Sequence, residues 1–238
     1  MIKNSREGEI VYIDKPCGVT SFDVIRLLRR RYGIKKIGHA GTLDPLASGL
    51  LIIGIGSATK KLPCFLKLPK VYSVTVCIGQ KTTTGDLEGD IIEQWHNSIP
   101  IPDTKLTSVL TSLQGDQMLF VPIYSAIKKN GKPLYKRVRQ GEHITPPQKC
   151  MHIQRLSLIR QEEKDGYVYI TIEMAVGSGT YIRSVVEELG ERLHAPTTVS
   201  VLRRLSIGNV DVATAEKFSI NEFEEILKKR KERGNVRF

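Results

Sequence analysis

The chain contains 238 residues, of which 40% are hydrophobic and 26% are charged, a balance that excludes a wholly disordered protein. It carries 36 Lys and Arg against 25 Asp and Glu, and the formal net charge of +11 favours a polyanionic partner. The longest strongly apolar stretch, residues 49–55, is too short to span a membrane. The first ten residues lack the apolar core of a secretion signal, so we expect a cytoplasmic protein without membrane contact.

The four cysteines do not predict a metal site or a disulfide scaffold. They show no C-x-x-C spacing, and no histidine stands at metal-ligand spacing from them. We expect reduced thiols at Cys17, Cys64, Cys77 and Cys150.

The first third of the chain predicts a strand, a basic helix and a second strand. Residues 10–13 are apolar, and the capping-box spacing of Thr20 and Asp23 predicts a helix that ends at Gly33. The polar face of this helix suits phosphate groups, although an ordinary solvated face would have the same composition. Its cations are Arg26, Arg29, Arg30 and Arg31, followed by Lys35 and Lys36.

Further along, strand patterns come in runs between a few helices. Residues 50–55 predict a buried strand, residues 70–79 a half-exposed strand with residues 90–95 as its hairpin partner, and residues 151–160 and 167–176 another hairpin. Predicted helices run from a cap at Asp103 to a stop at Gly115, over residues 181–194, and after a Ser219–Glu222 capping box. This order predicts an α+β fold with a mostly antiparallel mixed sheet flanked by helices.

Residues 121–150 form a long basic segment that we interpret as an RNA-clamping insertion, with an ordinary basic loop as the alternative. Its cations and tyrosines are Lys128, Lys129, Lys132, Lys136, Arg137, Arg139, Lys149, Tyr124 and Tyr135.

Residues 38–49, GHAGTLDPLASG, contain a single carboxylate, Asp44, among three glycines and a proline. Glycines allow tight turns and close approach of a bulky ligand, and Pro45 biases Asp44 towards an extended backbone. A carboxylate that is held in this way suits catalysis, although an isolated Asp-Pro is usually a turn former.

This motif resembles the catalytic loop of the bacterial tRNA pseudouridine-55 synthases, the TruB-type family. Five further blocks resemble the family's motifs in the same order. They are DKPCGVTS at 14–21, KVY at 70–72, PIYSAIK at 122–128 followed by Gly131 and Leu134-Tyr135, GTYIRS at 179–184, and LRR at 202–204.

The resemblance implies the pseudouridine synthase fold and the isomerisation of uridine 55 in the T-loop of tRNA. Asp44 would break the bond between ribose and uracil, by attack on the sugar, attack on the base or removal of a sugar proton. Arg183 would pair with Asp44, and Tyr72 would stack on the target base. His39 would stabilise the RNA from which the base is flipped, Tyr181 and Leu202 would line the base pocket, and Lys15 and Lys128 would contact RNA.

The resemblance also implies a monomer with one catalytic domain over residues 1–238 and with neither metal nor cofactor. Many family members carry a C-terminal RNA-binding module of the PUA type, for which residues 1–238 leave no complete counterpart. Thr83 stands where many members have an acid, and we assign no catalytic role to Thr83 or Asp86. Two alternatives stay open: the related RNA-guided synthase of archaea and eukaryotes, and a non-catalytic tRNA chaperone.

Overall fold

The computed structural model describes residues 8–95, 100–125, 127–129, 132–134, 137, 140–142, 144–226 and 228. Tyr135, Lys136 and Arg139 of the predicted RNA clamp lie outside these residues. The chain divides into two units: unit 1 consists of Met1–Ser73 and Val201–Phe238, and unit 2 of Val74–Ser200.

The helices and strands are numbered along the chain. Helices α1 to α4 cover Ser21–Tyr32, Leu62–Leu66, Asp103–Ser112 and Ile182–Leu193. Strands β1 to β7 cover Glu9–Lys15, Ile37–Ala40, Ser48–Ile55, Lys70–Ile78, Gln80–Thr82, Ile91–Gln94 and Gly115–Phe120. Strands β8 to β14 cover Lys128–Lys129, Lys132–Pro133, Gln148–Lys164, Tyr167–Val176, Thr197–Ile207, Val210–Asp211 and Glu216–Lys217. Three 3₁₀ segments cover Gly56–Lys61, Val212–Thr214 and Ile220–Phe223.

Unit 1 is built around β3, which is buried on both faces. The strand order is β14-β1-β3-β12, and β2 also pairs with β3. Leu51 and Ile53 of β3 lie in the apolar cluster that includes the buried side of α1. Leu50 and Ile52 point to the other face, where Leu62 of α2 belongs to their cluster. This two-sided burial explains why residues 50–55 are continuously apolar.

Helix α1 begins and ends where the sequence predicts. The Thr20 side chain accepts a hydrogen bond from the Asp23 amide, and the Asp23 carboxylate accepts one from the Thr20 amide. Gly33 ends the helix in the left-handed conformation, with φ of 66°. Both predictions are confirmed.

In unit 2, β11 and β10 form the predicted hairpin, and the strand order is β4-β11-β10-β7. β10 is longer than predicted, whereas β11 has the predicted bounds, and the chain turns between them at Asp165 and Gly166, which have positive φ. Alternate side chains of β11, among them Val168, Ile170 and Ile172, are fully buried. Helix α3 packs against β10 and α4.

The predicted pairing of residues 90–95 with β4 is wrong. β6 pairs with β5 in a separate two-stranded sheet, and all four β6 residues are exposed. Gly79, with φ of 105°, separates β4 from β5 and redirects the chain before the hairpin forms.

Two helix boundaries also differ from the prediction. Pro102, not Asp103, is the N-cap of α3, and its carbonyl accepts from the Lys105 and Leu106 amides. The helix ends at Ser112 with Leu113 as its C-cap, and Gly115 begins β7 instead of stopping the helix. The predicted Ser219–Glu222 capping box is present, but the segment that it caps, Ile220–Phe223, is a 3₁₀ helix.

The described pairings are mostly antiparallel, with parallel exceptions where β1 meets β14 and β3 meets β12. The α+β prediction is confirmed. Among the described residues no helix has the length and apolarity needed to cross a membrane.

Candidate active site

The Asp44 loop, defined here as residues 41–47, connects β2 to β3 in unit 1. Asp44 is partly exposed, whereas Leu43 before it and Ala47 after it are buried. The Ala47 amide donates to the Asp44 carbonyl at 3.1 Å, which closes a turn across Pro45. The loop is thus fixed by its apolar residues while its carboxylate side chain keeps solvent access.

The opening motif at residues 14–21 holds this loop from one side. The Gly18 amide donates to the Pro45 carbonyl at 2.8 Å. The Ser21 hydroxyl accepts from the Leu43 amide at 2.8 Å and donates to the Leu43 carbonyl at 3.1 Å. The backbone on both sides of Asp44 is therefore hydrogen-bonded to a segment more than twenty residues earlier in the chain.

The LRR motif on β12 holds the opening motif in turn. Arg203 donates to both carboxylate oxygens of Asp14, with Nη1–Oδ1 at 2.9 Å and Nη2–Oδ2 at 2.7 Å. These hydrogen bonds raise the pKa of Arg203 above its ordinary value. A two-point contact of this kind fixes orientation as well as distance.

Arg204 holds the Asp44 loop directly and is 1% exposed. Its Nε donates to the Leu50 carbonyl at 2.7 Å and its Nη2 to the Gly41 carbonyl at 3.2 Å. A Cβ at Gly49 would lie 2.2 Å from the Arg204 carbonyl oxygen, and Gly49 has φ of 104°. Only glycine fits this crossing of β3 and β12.

Two titratable groups near Arg204 lose part of their affinity for protons. Burial, followed by the charge of Arg204, lowers the pKa of His39, although the Gly41 backbone opposes the shift. Burial and Arg204 also lower the pKa of Lys70 to about 8. The Lys70 ammonium donates to the Leu66 and Leu68 carbonyls at 2.7 and 2.6 Å.

His39 lies in β2, paired with Ile53 of β3, and not in the loop that the sequence indicates. Its Nδ1 is buried and has no hydrogen-bond partner among the described residues. Tyr72 on β4 and Leu202 on β12 are also placed in unit 1, and both are buried.

Lys15, for which an RNA contact is predicted, is a buried residue of the opening motif. Lys15 is 0% exposed, and its ammonium donates to the Pro16 and Val19 carbonyls at 2.9 and 2.7 Å. It holds the turn of the opening motif, because a buried ammonium must satisfy its donors inside the protein.

In unit 2, Arg183 lies in the first turn of α4 and is 8% exposed. Its Nη1 donates to the Thr84 carbonyl at 2.9 Å and its Nη2 to the Tyr124 carbonyl at 3.2 Å. Its Nη1 also lies 3.7 Å from Oδ2 of Asp86. The guanidinium is thus bound to both the segment after β5 and the PIYSAIK motif.

Asp86 is a part of this arrangement that the sequence analysis left without a role. Its Oδ1 accepts from the Thr84 hydroxyl at 2.6 Å and from the Glu88 amide at 3.1 Å. The carboxylate is 5% exposed and holds Arg183 while it shapes the turn. Thr83 stands where many family members have an acid. The contact with Arg183 does not depend on that position, because the carboxylate of Asp86 makes it.

Tyr181 is the N-cap of α4, and the Lys149 ammonium lies 5.8 Å from its ring centroid. Lys149 also donates to the Gly179 carbonyl at 2.8 Å. Lys128 lies in β8, which pairs with β9, so the predicted clamp contains a short hairpin. Its last residues, 148–150, belong to β10.

A cavity of about 240 Å³ adjoins Arg183 within unit 2. Its walls include Thr84, Phe120, Pro122 and Glu187, and they mix an apolar side with the polar turn that binds Arg183. Among the described residues no group of three or more His, Cys, Asp or Glu side chains is arranged to hold a metal ion.

The predicted residues fall into two sets. Unit 1 contains Asp44, His39, Tyr72, Leu202 and the buried Lys15, whereas unit 2 contains Arg183, Tyr181 and Lys128. The pairing of Arg183 with Asp44 stays a prediction. The roles of Asp86, Lys70 and Arg204 were not predicted from sequence, although Lys70 lies in the KVY motif and Arg204 in the LRR motif.

The fold is that of the pseudouridine synthases. A solved H/ACA ribonucleoprotein bound to a substrate RNA containing 2′-deoxyuridine superimposes with a TM-score of 0.62 at 21% identity. The match covers 94% of this chain and 55% of that one, so this chain spans little more than half of its length.

The family follows from sequence. Residues 29–182 match the description "TruB family pseudouridylate synthase (N terminal domain)", and the chain belongs to this family. It is 38% identical to the tRNA pseudouridine synthase B of Corynebacterium efficiens over 84% of this chain and 67% of that protein. It is 39% identical to that of Oenococcus oeni over 92% of this chain and 72% of that protein.

Proposed function

We propose that this protein isomerises uridine 55 in the T-loop of tRNA to pseudouridine, with Asp44 as the catalytic carboxylate. The observation that carries the proposal is the support of the Asp44 loop. Two separated motifs hold the loop by its backbone, the opening motif through Ser21 and Gly18 and the LRR motif through Arg204. Such support suits a side chain that must keep one orientation while it reacts.

The reaction breaks the bond between N1 of uracil and C1′ of ribose and forms a bond between C5 and C1′. N1 gains a proton and C5 loses its hydrogen to solvent, so atoms and electrons balance without an oxidant or an energy donor. The protein must bind the nucleotide, activate the glycosidic bond and hold the detached base while it rotates. We assign the activation to Asp44.

Arg183 and Tyr72 complete the proposed catalytic group. Arg183 would orient the Asp44 carboxylate through its planar fork, and Asp86 with the Thr84 carbonyl would position that fork. Tyr72, on β4, would stack on the target base.

The target uridine must leave the stacked T-loop, which costs on the order of a few kcal/mol. His39 would stabilise the RNA that the base vacates, and the lowered pKa of His39 makes a neutral contact more suitable than an ionic one. Tyr181 and Leu202 would line the base pocket, and Lys128 would contact the RNA from the clamp.

We further propose that the chain acts without a guide RNA, as a cytoplasmic monomer with one catalytic domain. Identity of 38 to 39% to proteins named tRNA pseudouridine synthase B supports this over the guided type, for which the likeness is at 21% identity. No metal or cofactor is part of the proposal, because the chemistry does not require one.

The test uses a tRNA transcript labelled with tritium at C5 of uridine. Pseudouridine formation must release this tritium to water, so the protein without guide RNA should release one equivalent per modified site. Asp44→Asn should reduce the release at least a thousandfold while it still binds the transcript. Mapping the product should place it at position 55.

Absence of release by the parent protein, despite measured tRNA binding, would refute the enzyme proposal and favour a chaperone. Release that requires an added guide RNA would favour the guided type. Release by Asp44→Asn at the parent rate would remove Asp44 from the mechanism. A matched control is Asp103→Asn, because Asp103 lies at the start of α3 in unit 2 and has no proposed role.

A further inference from the structure

One stripe of α1 carries an exposed aromatic ring between two arginines. Phe22, Arg26 and Arg29 are spaced by four and three residues, which places them on the same side of the helix. All three are exposed, and Phe22 is 46% exposed, whereas Val24 and Leu28 turn towards the core of unit 1. The ring of Phe22 is therefore not part of the core packing of its helix.

The ring and the guanidinium groups are in contact. Cζ of Arg26 lies 4.8 Å from the Phe22 ring centroid, and Cζ of Arg29 lies 5.8 Å from it. An aromatic face attracts a cation and holds the planar guanidinium against it. Each guanidinium has five N–H donors. Arg26 uses Nη1 on Asp23 and Arg29 uses Nη2 on Ile37, so further donors remain for a ligand.

The charges of α1 are divided between two sides of the helix. Arg30 pairs with Glu225 and Arg31 with Glu222, so the cations next to the C-terminal segment are neutralised. Arg29 forms no ion pair with any described residue; its Nη2 makes only a 3.5 Å contact to the Ile37 carbonyl.

Arg26 pairs with Asp23, but this carboxylate is already shared with the N-terminus of the helix. Oδ1 of Asp23 accepts from Arg26 at 3.0 Å, while Oδ2 accepts from the Thr20 amide and hydroxyl at 3.0 and 2.7 Å. The Asp23 carboxylate thus accepts hydrogen bonds from the N-terminus of α1 and from Arg26, but not from Arg29. The stripe retains positive charge, and the exposed Lys35 and Lys36 continue it.

The stripe adjoins the Asp44 loop. Ser21, which precedes Phe22, exchanges two hydrogen bonds with Leu43, which precedes Asp44. An RNA strand that delivers a nucleotide to Asp44 continues on either side of that nucleotide, and its phosphates need cations along the path.

We propose that the stripe of Phe22, Arg26 and Arg29 is a binding surface for the sugar-phosphate backbone of the RNA substrate, beside the Asp44 loop. The inference rests on the proposed function for the identity of the substrate. Phe22 keeps the two guanidinium groups in place, and their N–H donors bind phosphate oxygens. A base that is unstacked next to the target can lie on the exposed part of the Phe22 ring.

The test measures the dissociation constant of an unmodified tRNA transcript between 50 and 300 mM KCl for the full chain and its variants. Arg29→Ala should weaken binding about threefold to tenfold at 100 mM KCl. It should also reduce the slope of log K against log salt by about 0.7 to 0.9, the value for one lost phosphate contact. Phe22→Ala should weaken binding about threefold, and melting temperatures should confirm that both variants fold.

Arg30→Ala is the matched control, since it removes the same charge from the same helix on the neutralised side. It should change the dissociation constant less than twofold. Equal effects of Arg29→Ala and Arg30→Ala on affinity and slope would overturn the inference, as would parent-like binding by Arg29→Ala. If the parent releases tritium in that case, the proposed function survives without the stripe. If Arg29→Ala weakens binding but the parent releases no tritium, the stripe survives and the proposed function fails.

Discussion

The cations near the Asp44 loop and those near Arg183 have opposite kinds of hydrogen-bonding and ion-pair partner. In unit 1, Arg204 and Lys70 donate to backbone carbonyls, and neither forms an ion pair with a described residue. In unit 2, the cations lie beside carboxylates. Arg183 lies near Asp86. Nζ of Lys81 lies 3.2 Å from Oε1 of Glu187 and 3.5 Å from Oε1 of Glu191. The first region accumulates positive charge, whereas the second balances it.

The pKa values of nearby groups follow this difference. In unit 1, burial and Arg204 lower the pKa of both His39 and Lys70. In unit 2, burial alone would lower the pKa of Lys81, but Glu187 and Glu191 together raise it. Carbonyl oxygens thus solvate the unit 1 cations without cancelling their charge, which leaves the neighbourhood of Asp44 attractive to an anionic substrate.

The largest effect on stability is expected where a carbonyl-bound cation is removed. Arg204→Met would leave the Leu50 and Gly41 carbonyls without their donors in a buried site. Each such loss costs about 1 to 3 kcal/mol, so we expect the free energy of unfolding to fall by about 4 kcal/mol. Urea denaturation measures it directly.

The neighbouring Arg203→Met provides the control. Arg203 binds a carboxylate instead, and its side chain is 36% exposed, so its loss should cost about 1 kcal/mol after allowance for solvent screening. Equal losses for the two variants would show that the carbonyl contacts of Arg204 have no special weight.

A second test addresses the backbone crossing that Arg204 occupies. Gly49→Ala should lower the free energy of unfolding by about 3 kcal/mol, because the new Cβ would meet the Arg204 carbonyl at 2.2 Å and φ is 104°. Gly33 also has a positive φ, 66°, but a Cβ there would have no atom within 4 Å. Gly33→Ala therefore measures the cost of the left-handed backbone alone, which should be about 1 kcal/mol of unfolding free energy. A similar cost at both positions would mean that the close approach is relieved elsewhere.

The sequence predicted those parts of the molecule that depend on local patterns. The capping box at Thr20 and Asp23, the glycine stop at Gly33 and the hairpin of β10 and β11 each join residues that are close in sequence, and the structure confirms them. The β4 partner was predicted wrongly because strand pairing depends on where the chain goes after Gly79, which adjacent residues do not specify.

The site shows the same limit. The motif around Asp44 is visible in sequence, but its attachment to Ser21 and Arg204 joins segments that are 22 and 163 residues apart. Lys15 is predicted to contact RNA, but its burial and its hydrogen bonds to the turn of the opening motif appear only in the structure. Charge type is readable from sequence, whereas the side to which a cation points is not.

A smaller effect is expected from Lys70. Its pKa is lowered from 10.5 to about 8, so the folded protein loses this proton before the unfolded chain does. Below pH 8 both states are protonated and the cost of the buried charge is fully present. Between pH 8 and 10.5 that cost disappears, so stability relative to Lys70→Met should rise with pH. The lowered pKa of Lys70 alone corresponds to a rise in unfolding free energy of roughly 3 kcal/mol. Because the surroundings relax around the neutral amine, we expect a rise of about 2 kcal/mol.

The Lys70 measurement is the difference in unfolding free energy between parent and Lys70→Met at pH 7.5, 8.5 and 9.5. A difference that stays constant over this range would contradict the lowered pKa. Lys67→Met, on an exposed residue of the same segment, should show no such trend.

The smallest effect is expected from His39, because it is confined to acid. The pKa of His39 lies below its ordinary value of 6.5, so the unfolded chain takes up this proton at a higher pH than the folded protein. Above pH 6.5 both states are neutral and His39→Gln should follow the parent. As the pH falls below 6.5, uptake by the unfolded chain destabilises the parent, and His39→Gln should lose less of its melting temperature between pH 6.5 and 5. His152, an exposed histidine that pairs with Asp116, supplies the contrast in unit 2. Equal protection by His152→Gln would assign the effect to histidine content and not to the burial of His39 and the charge of Arg204.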